Sequence, residues 1–436
     1  MFQLGWFGNL TAPEWAPSPT APALEDDARN WMDGRFYVDQ ARALERAGFD
    51  FLMLEDSLMV PDMYRGDSEI ALKHARYAPK LDPVVAASML AYATEHIGII
   101  CTASTTFYNP YQLARQFATL DHLTRGRIGW NMVTSSEDRA AQNFGMDKLP
   151  EHDLRYEMAN EFKECVEALW DSWDEDAIVA DPDTGYYADH TKVHRADFEG
   201  RFYKSRGPLN VPRSPQHHPV YCQAGGSPAG RDFAAKNADL ILNIPNGVAG
   251  MKAFRDDIRS RAEGFGRDPD EIKVFFVILP LIADTMAHAL EMQEEWHGRA
   301  DYNFEVSMSH FEATQEIDMS EFDPELPLPA GVSTNGHQST LENTKRAWGD
   351  TIIREAASRG RTSSVPLVGT AESVADEMEA IMDEVGGDGF LVHNQPMSRR
   401  YIASITDALA PALRRRGLIR TGFHHALLRD NLRDPR

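Results

Sequence analysis

The sequence predicts a closed (β/α)8 barrel carrying two long excursions near the carboxyl ends of its strands. Short apolar runs of strand length alternate with amphipathic helical stretches, the pattern of a parallel sheet joined by right-handed crossovers. Eight such runs occur along the chain, the number that closes a barrel. No Gly-x-Gly-x-x-Gly follows the first run, which counts against an open dinucleotide-binding sheet. Residues 1–436 are therefore expected to form a single barrel domain, with excursions at about 173–219 and 283–366.

The first strand is expected at 2–7, followed by a Pro-rich loop over 13–22. A helix over 36–47 stops at Gly48, the residue type favoured just past a helix end. Residues 49–54 read as the second strand, closed by Glu55, Asp56 and Ser57. Asp82-Pro83 has the form of an N-cap followed by proline and opens a helix to about Thr94. The third strand, 97–101, runs into the hydroxyl-rich stretch 102–106. Asn109-Pro110 repeats the capping logic for a helix whose Leu113, Phe117, Leu120 and Leu123 share one face. The fourth strand, 128–133, is apolar throughout, which implies burial on both faces. It stops in Thr134-Ser135-Ser136, and Ser135-Ser136-Glu137-Asp138 could serve as a helix cap.

A helix over 153–170 places Leu154, Met158, Phe162, Cys165 and Leu169 on its apolar side. The stretch 173–219, rich in Asp, Tyr, His and Pro, is too long for a simple connection. The alternation resumes with strand 220–222, helix 231–237, strand 240–242, helix 251–263 and a strongly apolar strand over 273–282. The second excursion, 283–366, mixes helical stretches with a Pro-rich loop at 323–329. A helix over 372–385 then carries Val374, Met378, Ile381 and Met382 and is stopped by Gly386-Gly387. The eighth strand is expected at 389–393, and a last helix at 402–416, apart from Pro411.

A net charge of -23, from 44 basic and 67 acidic residues, argues against a nucleic-acid or anionic-membrane partner, which would need clustered Lys and Arg. The three cysteines, Cys101, Cys165 and Cys222, are widely spaced and form no Cys-x-x-Cys, so neither a disulfide framework nor a zinc site is indicated. Residues 1–10 show neither a basic start nor a signal-like apolar core, and no run approaches membrane-spanning length, so a cytoplasmic protein is expected. Neither a His-Glu-x-x-His zinc motif nor a Gly-x-Ser-x-Gly nucleophile elbow occurs, and no metal is expected. His217, His218 and His288 have no evident partner and are expected at the surface.

Three clusters could carry chemistry. Asp56, Thr102, Ser104 and Asn131 stand at strand ends, which on a barrel converge at one mouth. Residues 223–230, Gln-Ala-Gly-Gly-Ser-Pro-Ala-Gly, form a glycine-rich strand-to-helix loop. Backbone amides there can approach an anion, although an ordinary tight turn would read the same way. His152, Arg155 and Tyr156 share one face at a helix start. A cation at that end is electrostatically odd unless an anion sits there too, the other reading being a solvated first turn.

These stretches resemble the bacterial-luciferase-like flavin monooxygenases, in the branch of the nitrilotriacetate, EDTA, dibenzothiophene-sulfone and long-chain alkane monooxygenases. The resemblance rests on Thr-Ala-Ser-Thr-Thr at 102–106, the Asn-Pro-Tyr-Gln helix at 109–127 and Gly-Trp-Asn-Met-Val-Thr-Ser at 129–135. His-Asp-Leu-Arg-Tyr-Glu-Met-Ala at 152–159, the stretch 206–216, the glycine-rich loop and Arg-Arg-Gly-Leu-Ile-Arg-Thr at 415–421 continue it. It implies a barrel that receives reduced FMN from a separate NAD(P)H:flavin reductase. O2 then adds to give a flavin C4a-(hydro)peroxide, which oxygenates a small organic substrate, and the chain assembles as a homodimer or homotetramer.

Carried over position by position, the resemblance implies that Asp56, Thr102 and Asn131 would line the isoalloxazine, while His152, Tyr156, Gly226 and Ser227 would hold the ribityl phosphate. Gly226 is often a serine in this branch. The N-terminal loop, with Trp6 and Trp15, also departs from familiar members and leaves the substrate class open. A general rule for barrels places phosphate sites after strands seven and eight, whereas this glycine-rich loop follows the fifth. The alternatives are a deazaflavin (F420)-dependent dehydrogenase of the same superfamily and a flavin-binding protein without turnover.

Overall fold

Apolar strands buried on both faces need helices on one side and one another on the other. The computed structural model, which describes residues 1–13, 15, 18–19, 27–359, 363–393 and 397–434, meets that need with a closed parallel barrel. Its strands are β1 (Gln3–Asn9), β2 (Phe51–Glu55), β3 (Gly98–Ser104), β4 (Ile128–Val133), β5 (Val220–Gln223), β6 (Leu240–Asn243), β7 (Lys273–Ile278) and β8 (Gly389–His393). Around the barrel they run β1-β8-β7-β6-β5-β4-β3-β2, each parallel to its neighbours. The closed (β/α)8 barrel expected from the sequence is the fold observed.

Side chains alternate along each strand. On β4, Ile128, Trp130 and Met132 pack outward in the helix-facing core. Gly129 faces inward, where a Cβ would lie 2.8 Å from the Ile100 side chain. Phe51, Met53, Ile100, Cys222, Leu242, Phe275 and Leu391 fill the interior, and Leu428 and Leu432 of the short helix Leu428–Arg433 join the same cluster. That cluster is anchored by a buried ion pair, Arg420 Nη2 to Asp50 Oδ1 at 2.5 Å, with Arg420 also donating to the Asn431 carbonyl at 2.9 Å. Trp6 belongs to the helix-facing core beside Phe49 and Tyr401, so it does not face the cavity. Most of the 13–22 loop lies outside the described residues.

The helices start and stop where their capping residues dictate. Helix α1 (Arg35–Ala47) ends on left-handed Gly48 at φ 82°. In α2 (Pro83–Ala93) the Asp82 carboxylate accepts from Val85 N at 2.9 Å, and in α3 (Pro110–Thr124) Asn109 accepts from Tyr111 N at 3.0 Å. Helix α4 (His152–Trp170) follows β4, α5 (Pro228–Asn237) follows β5, and α6 (Gly247–Gly264) follows β6. Helix α7 (Ala371–Val385) opens on a Thr370–Ser373 capping box.

Two proline expectations need correction. The apolar run 273–282 is not one strand: β7 stops at Ile278, and Leu281–Ile282 pairs instead with Val368–Gly369 in a separate ladder. Pro280 lies at the break, where the missing N–H cannot continue the ladder. Pro411, by contrast, does not interrupt the last helical run. A π stretch (Ser404–Leu409) links Arg399–Ala403 to Ala410–Arg415, and this departure from the α ladder just before Pro411 accommodates its ring and missing donor. A short helix, Asp138–Asn143, follows β4, but Ser135 and Ser136 do not cap it.

The first excursion runs along α4. Glu161 accepts from the backbone amides of Arg201, Phe202 and Tyr203 at 2.9, 2.6 and 2.8 Å. The Tyr203 hydroxyl then reaches the mouth, donating to the Thr105 carbonyl at 3.1 Å. The second excursion has a small core of its own, where Met308, Phe311, Ile317, Leu341 and Ile353 pack with Tyr64 and Ile70 from the loop after β2. Among the described residues no helix is long and apolar enough to cross a membrane. All three cysteines are buried and free.

Candidate active site at the barrel mouth

The period-two alternation that sends Ile99, Cys101 and Ala103 outward turns Thr102 and Ser104 inward, and neighbouring β4 does the same for Asn131. Thr102 and Asn131 stand side by side, with Asn131 Nδ2 donating to Thr102 Oγ1 at 2.9 Å. Asn131 Oδ1 is buried, lines the cavity and accepts no hydrogen bond. An unsatisfied buried acceptor costs about 1–3 kcal/mol, so this oxygen is set to receive a donor from a ligand. Ser135, at φ 60°, turns its hydroxyl to Ser104 at 2.7 Å.

Asp56 sits half-buried just past β2. Burial raises its pKa to about 7, helped by Glu55 and Asp82 and opposed by Lys80. Lys80 is itself paired with Glu55. Glu137 also lines this side, its carboxyl pushed up by burial.

The opposite side collects donors. Ser227 is the N-cap of α5, its Oγ accepting from Gly230 N at 3.1 Å. A Cβ at Gly230 would lie 2.7 Å from the Tyr156 hydroxyl, so glycine permits the close approach of α4 and α5. Burial raises the Tyr156 pKa, against hydrogen bonding with Ser227, Thr134 and Gln223, and the hydroxyl stays a neutral donor. The His152 ring packs edge-on against Tyr156 at 5.2 Å. Arg155 is fully buried, donating to the carbonyls of Pro150 at 2.7 Å and Asn335 at 2.9 Å, while its Nε has no partner. It thus brings a cation to the site and ties the second excursion to α4.

The sequence-derived residues Asp56, Thr102, Asn131, His152, Tyr156, Gly226 and Ser227 all line this one cavity, which encloses about 1190 Å³ including its open mouth. Among the lining residues that sequence reasoning missed, two come from distant chain. Tyr77 lines the cavity and is hydrogen-bonded to His310 Nδ1 at 2.5 Å, across 233 positions of chain. Burial lowers the His310 pKa to about 3, so the ring is neutral. Ser339, in the first turn of the helix Gln338–Trp348, stands over Gly226, where a Cβ would lie 2.6 Å from its Oγ. Neither carries a local motif; only the fold brings them in. The expectation for His217 and His218 also changes: both rings contact Asp171, at 2.7 and 2.8 Å. His288 is partly exposed beside a separate groove that includes Glu372 and Arg400.

A family described as luciferase-like monooxygenase matches residues 7–389. Dibenzothiophene-sulfone monooxygenase of Rhodococcus erythropolis (strain XP) is 36% identical, covering 99% of this chain and 96% of its own. Dimethyl-sulfide monooxygenase of Hyphomicrobium sulfonivorans is 37% identical, over 93% and 85%. A crystal structure of riboflavin lyase with modified FMN and substrate riboflavin superposes with a TM-score of 0.87 at 30% identity, covering 99% of this chain and 96% of that one. Likeness over the whole chain, with the strand-end and helix-start residues gathered at one mouth, makes this protein a member of the luciferase-like monooxygenase family and a flavin-dependent monooxygenase.

Proposed function

We propose that the protein is the oxygenase of a two-component system, taking reduced FMN from a separate NAD(P)H:flavin reductase and oxygenating a small organic substrate with O2. The observation that carries this reading is the division of the cavity. Neutral and cationic donors gather at one side, and an unfilled acceptor, Asn131 Oδ1, lies on the barrel floor. Ser227, the start of α5, the Tyr156 hydroxyl and His152 would hold the ribityl phosphate, with Gly226 giving it room. Asp56, Thr102 and Asn131 would line the isoalloxazine, where Asn131 Oδ1 offers an acceptor to a ring N–H. Reduced flavin, when bound, supplies the two electrons by which one oxygen atom goes to substrate and the other to water. The chain's residues position the ring, exclude water and hold the anion.

On the far side Glu55 is paired with Lys80, and burial pushes the carboxyls of Asp56 and Glu137 toward their protonated forms. That lining, with little net charge of its own, suits a neutral substrate better than a polycarboxylate. The riboflavin lyase with modified FMN supports the choice of flavin, and a homodimer or homotetramer is part of the reading.

Oxygen uptake with NADH, FMN, a generic flavin reductase and a panel of sulfones, sulfides, alkanes and polycarboxylates tests it. Uptake coupled to product, and dependent on the reductase, is expected. NADH oxidation by the chain alone at the rate of product formation would overturn the two-component reading. Oxygen-independent hydride transfer with a deazaflavin would select the dehydrogenase, and flavin binding without turnover across the panel a binding protein.

A further inference from the structure

We propose that Asp171, His217 and His218 form a binding site for a divalent transition-metal ion of the zinc class, joining the two ends of the first excursion. Asp171 is the C-cap of α4, and the two histidines lie just before β5, so the residues are neighbours only after the chain has left and returned. Their ligand atoms all lie within 4.8 Å of one another.

Three features distinguish the trio from a chance surface cluster. First, successive side chains of an extended strand point to opposite sides, but His217 has φ 65°. The left-handed turn sets the two rings side by side, with centroids 4.1 Å apart. The turn is held by His217 N donating to the Ser214 carbonyl at 2.9 Å and His218 N to the Gln216 carbonyl at 2.8 Å.

Second, His217 Nε2 is buried and makes no hydrogen bond, although it lies 2.7 Å from Asp171 Oδ1. His218 Nε2 reaches the same oxygen, Asp171 Oδ1, at 2.8 Å, so both imidazoles and the carboxylate converge on one point. Third, the other nitrogen of His218, Nδ1, faces Glu167 Oε1 at 3.6 Å. Glu167 is held by Lys163 at 2.6 Å and by the Tyr221 hydroxyl at 2.8 Å. A carboxylate behind a ligating imidazole is the usual second layer of a metal site.

Two imidazole nitrogens and one carboxylate oxygen, with a position left for water, suit Zn²⁺ and its neighbours rather than Mg²⁺ or Ca²⁺. The 19 residues of α4 span about 28 Å at the α-helical rise, which separates this trio from the His152 end of the cavity. The ion would therefore act on the stability of the excursion and not on flavin binding.

The test is titration of the full chain, stripped with a chelator, using Co²⁺ as a visible probe and Zn²⁺ as competitor. One equivalent of Co²⁺ should bind with d–d bands and be displaced by Zn²⁺, and Zn²⁺ should raise Tm. His217→Ala, His218→Ala and Asp171→Asn should each weaken binding at least tenfold, and Glu167→Gln about tenfold. His425→Ala removes a second imidazole–carboxylate contact, His425 to Asp434 at 3.3 Å, and should change nothing. Absence of one-equivalent binding by the unaltered chain overturns the proposal without recourse to any variant. So does binding that survives unchanged in the His217→Ala/His218→Ala double variant, which would assign the ion elsewhere among the 15 histidines.

Discussion

Tyr156→Phe is the sharpest probe of the proposed anion side. The substitution keeps the ring, and with it the contacts to His152 at 5.2 Å and Phe233 at 5.8 Å, so packing volume is unchanged. Only the hydroxyl is lost, a neutral donor beside Ser227, Thr134 and Gln223. A hydrogen bond to a charged group contributes about 1.5–3 kcal/mol, and each 1.4 kcal/mol is about tenfold in affinity. Loss of the hydroxyl should therefore weaken FMNH₂ binding by about tenfold to a hundredfold. Riboflavin lacks the phosphate, so its reduced form should bind the variant nearly as it binds the parent. Anaerobic titration of both reduced flavins, followed by quenching of protein fluorescence, reads the difference directly. Equal losses for the two ligands would refute the assignment, since Tyr156 would then act on the ring or on the fold. Ser227→Ala is a harsher companion, because it also removes the cap on Gly230 N, worth about 0.5–2 kcal/mol of stability.

Further outcomes follow from the same geometry. Thr102→Val leaves Asn131 Nδ2 without its partner and should cost about 1–3 kcal/mol of stability. The double variant Thr102→Val/Asn131→Leu should recover most of that loss in urea unfolding while losing flavin affinity, because a matched apolar pair leaves nothing unsatisfied. Asp56, with its pKa raised to about 7, holds a proton in the folded state that the unfolded chain releases above its ordinary value near 3.8. Its contribution to stability is complete below that value and is lost as pH rises through 7, so Asp56→Asn should flatten the stability profile between them. Glu316, also held near 7 by burial, keeps its own share of the slope. Arg420→Met should cost about 3–5 kcal/mol by stranding the buried Asp50 charge, seen as a lowered Tm, with Asp50→Asn/Arg420→Met restoring part of it.

The barrel was legible because its strands are continuous apolar runs with turn signals at both ends, and because Asp82, Asn109 and Gly48 are local caps whose geometry depends on a few residues. The same locality explains the Gly-rich loop and the start of α4. What escaped is what depends on distant chain. Tyr77 meets His310, and Ser339 meets Gly226, only because the second excursion folds back over the mouth. His217 and His218 read as surface residues because their common partner, Asp171, lies on the far side of the excursion. The two prolines were misjudged in opposite directions for one reason: a missing N–H ends a strand ladder at Pro280, yet is accommodated at Pro411 by the π stretch just before it.

The position of the proposed anion site after β5, rather than after β7, follows from where backbone amides are already bonded. Beyond β7 the chain does not turn directly into a helix. Leu279 N donates to Ser363 Oγ at 3.1 Å, Leu281 N to the Leu367 carbonyl at 2.8 Å, and Ala283 N to the Gly369 carbonyl at 3.0 Å. The amides that would face a phosphate there are engaged by the returning end of the second excursion, and Pro280 has none to offer. After β5 the chain passes through Gly225 and Gly226 straight into α5, with Ser227 as its cap and Tyr156 opposite. A helix start with room in front of it is what an anion needs, and the buried Arg155 adds positive charge on the same side. The second excursion thus has two effects from one return path: it occupies the amides at β7 and brings Ser339 over the glycines at β5.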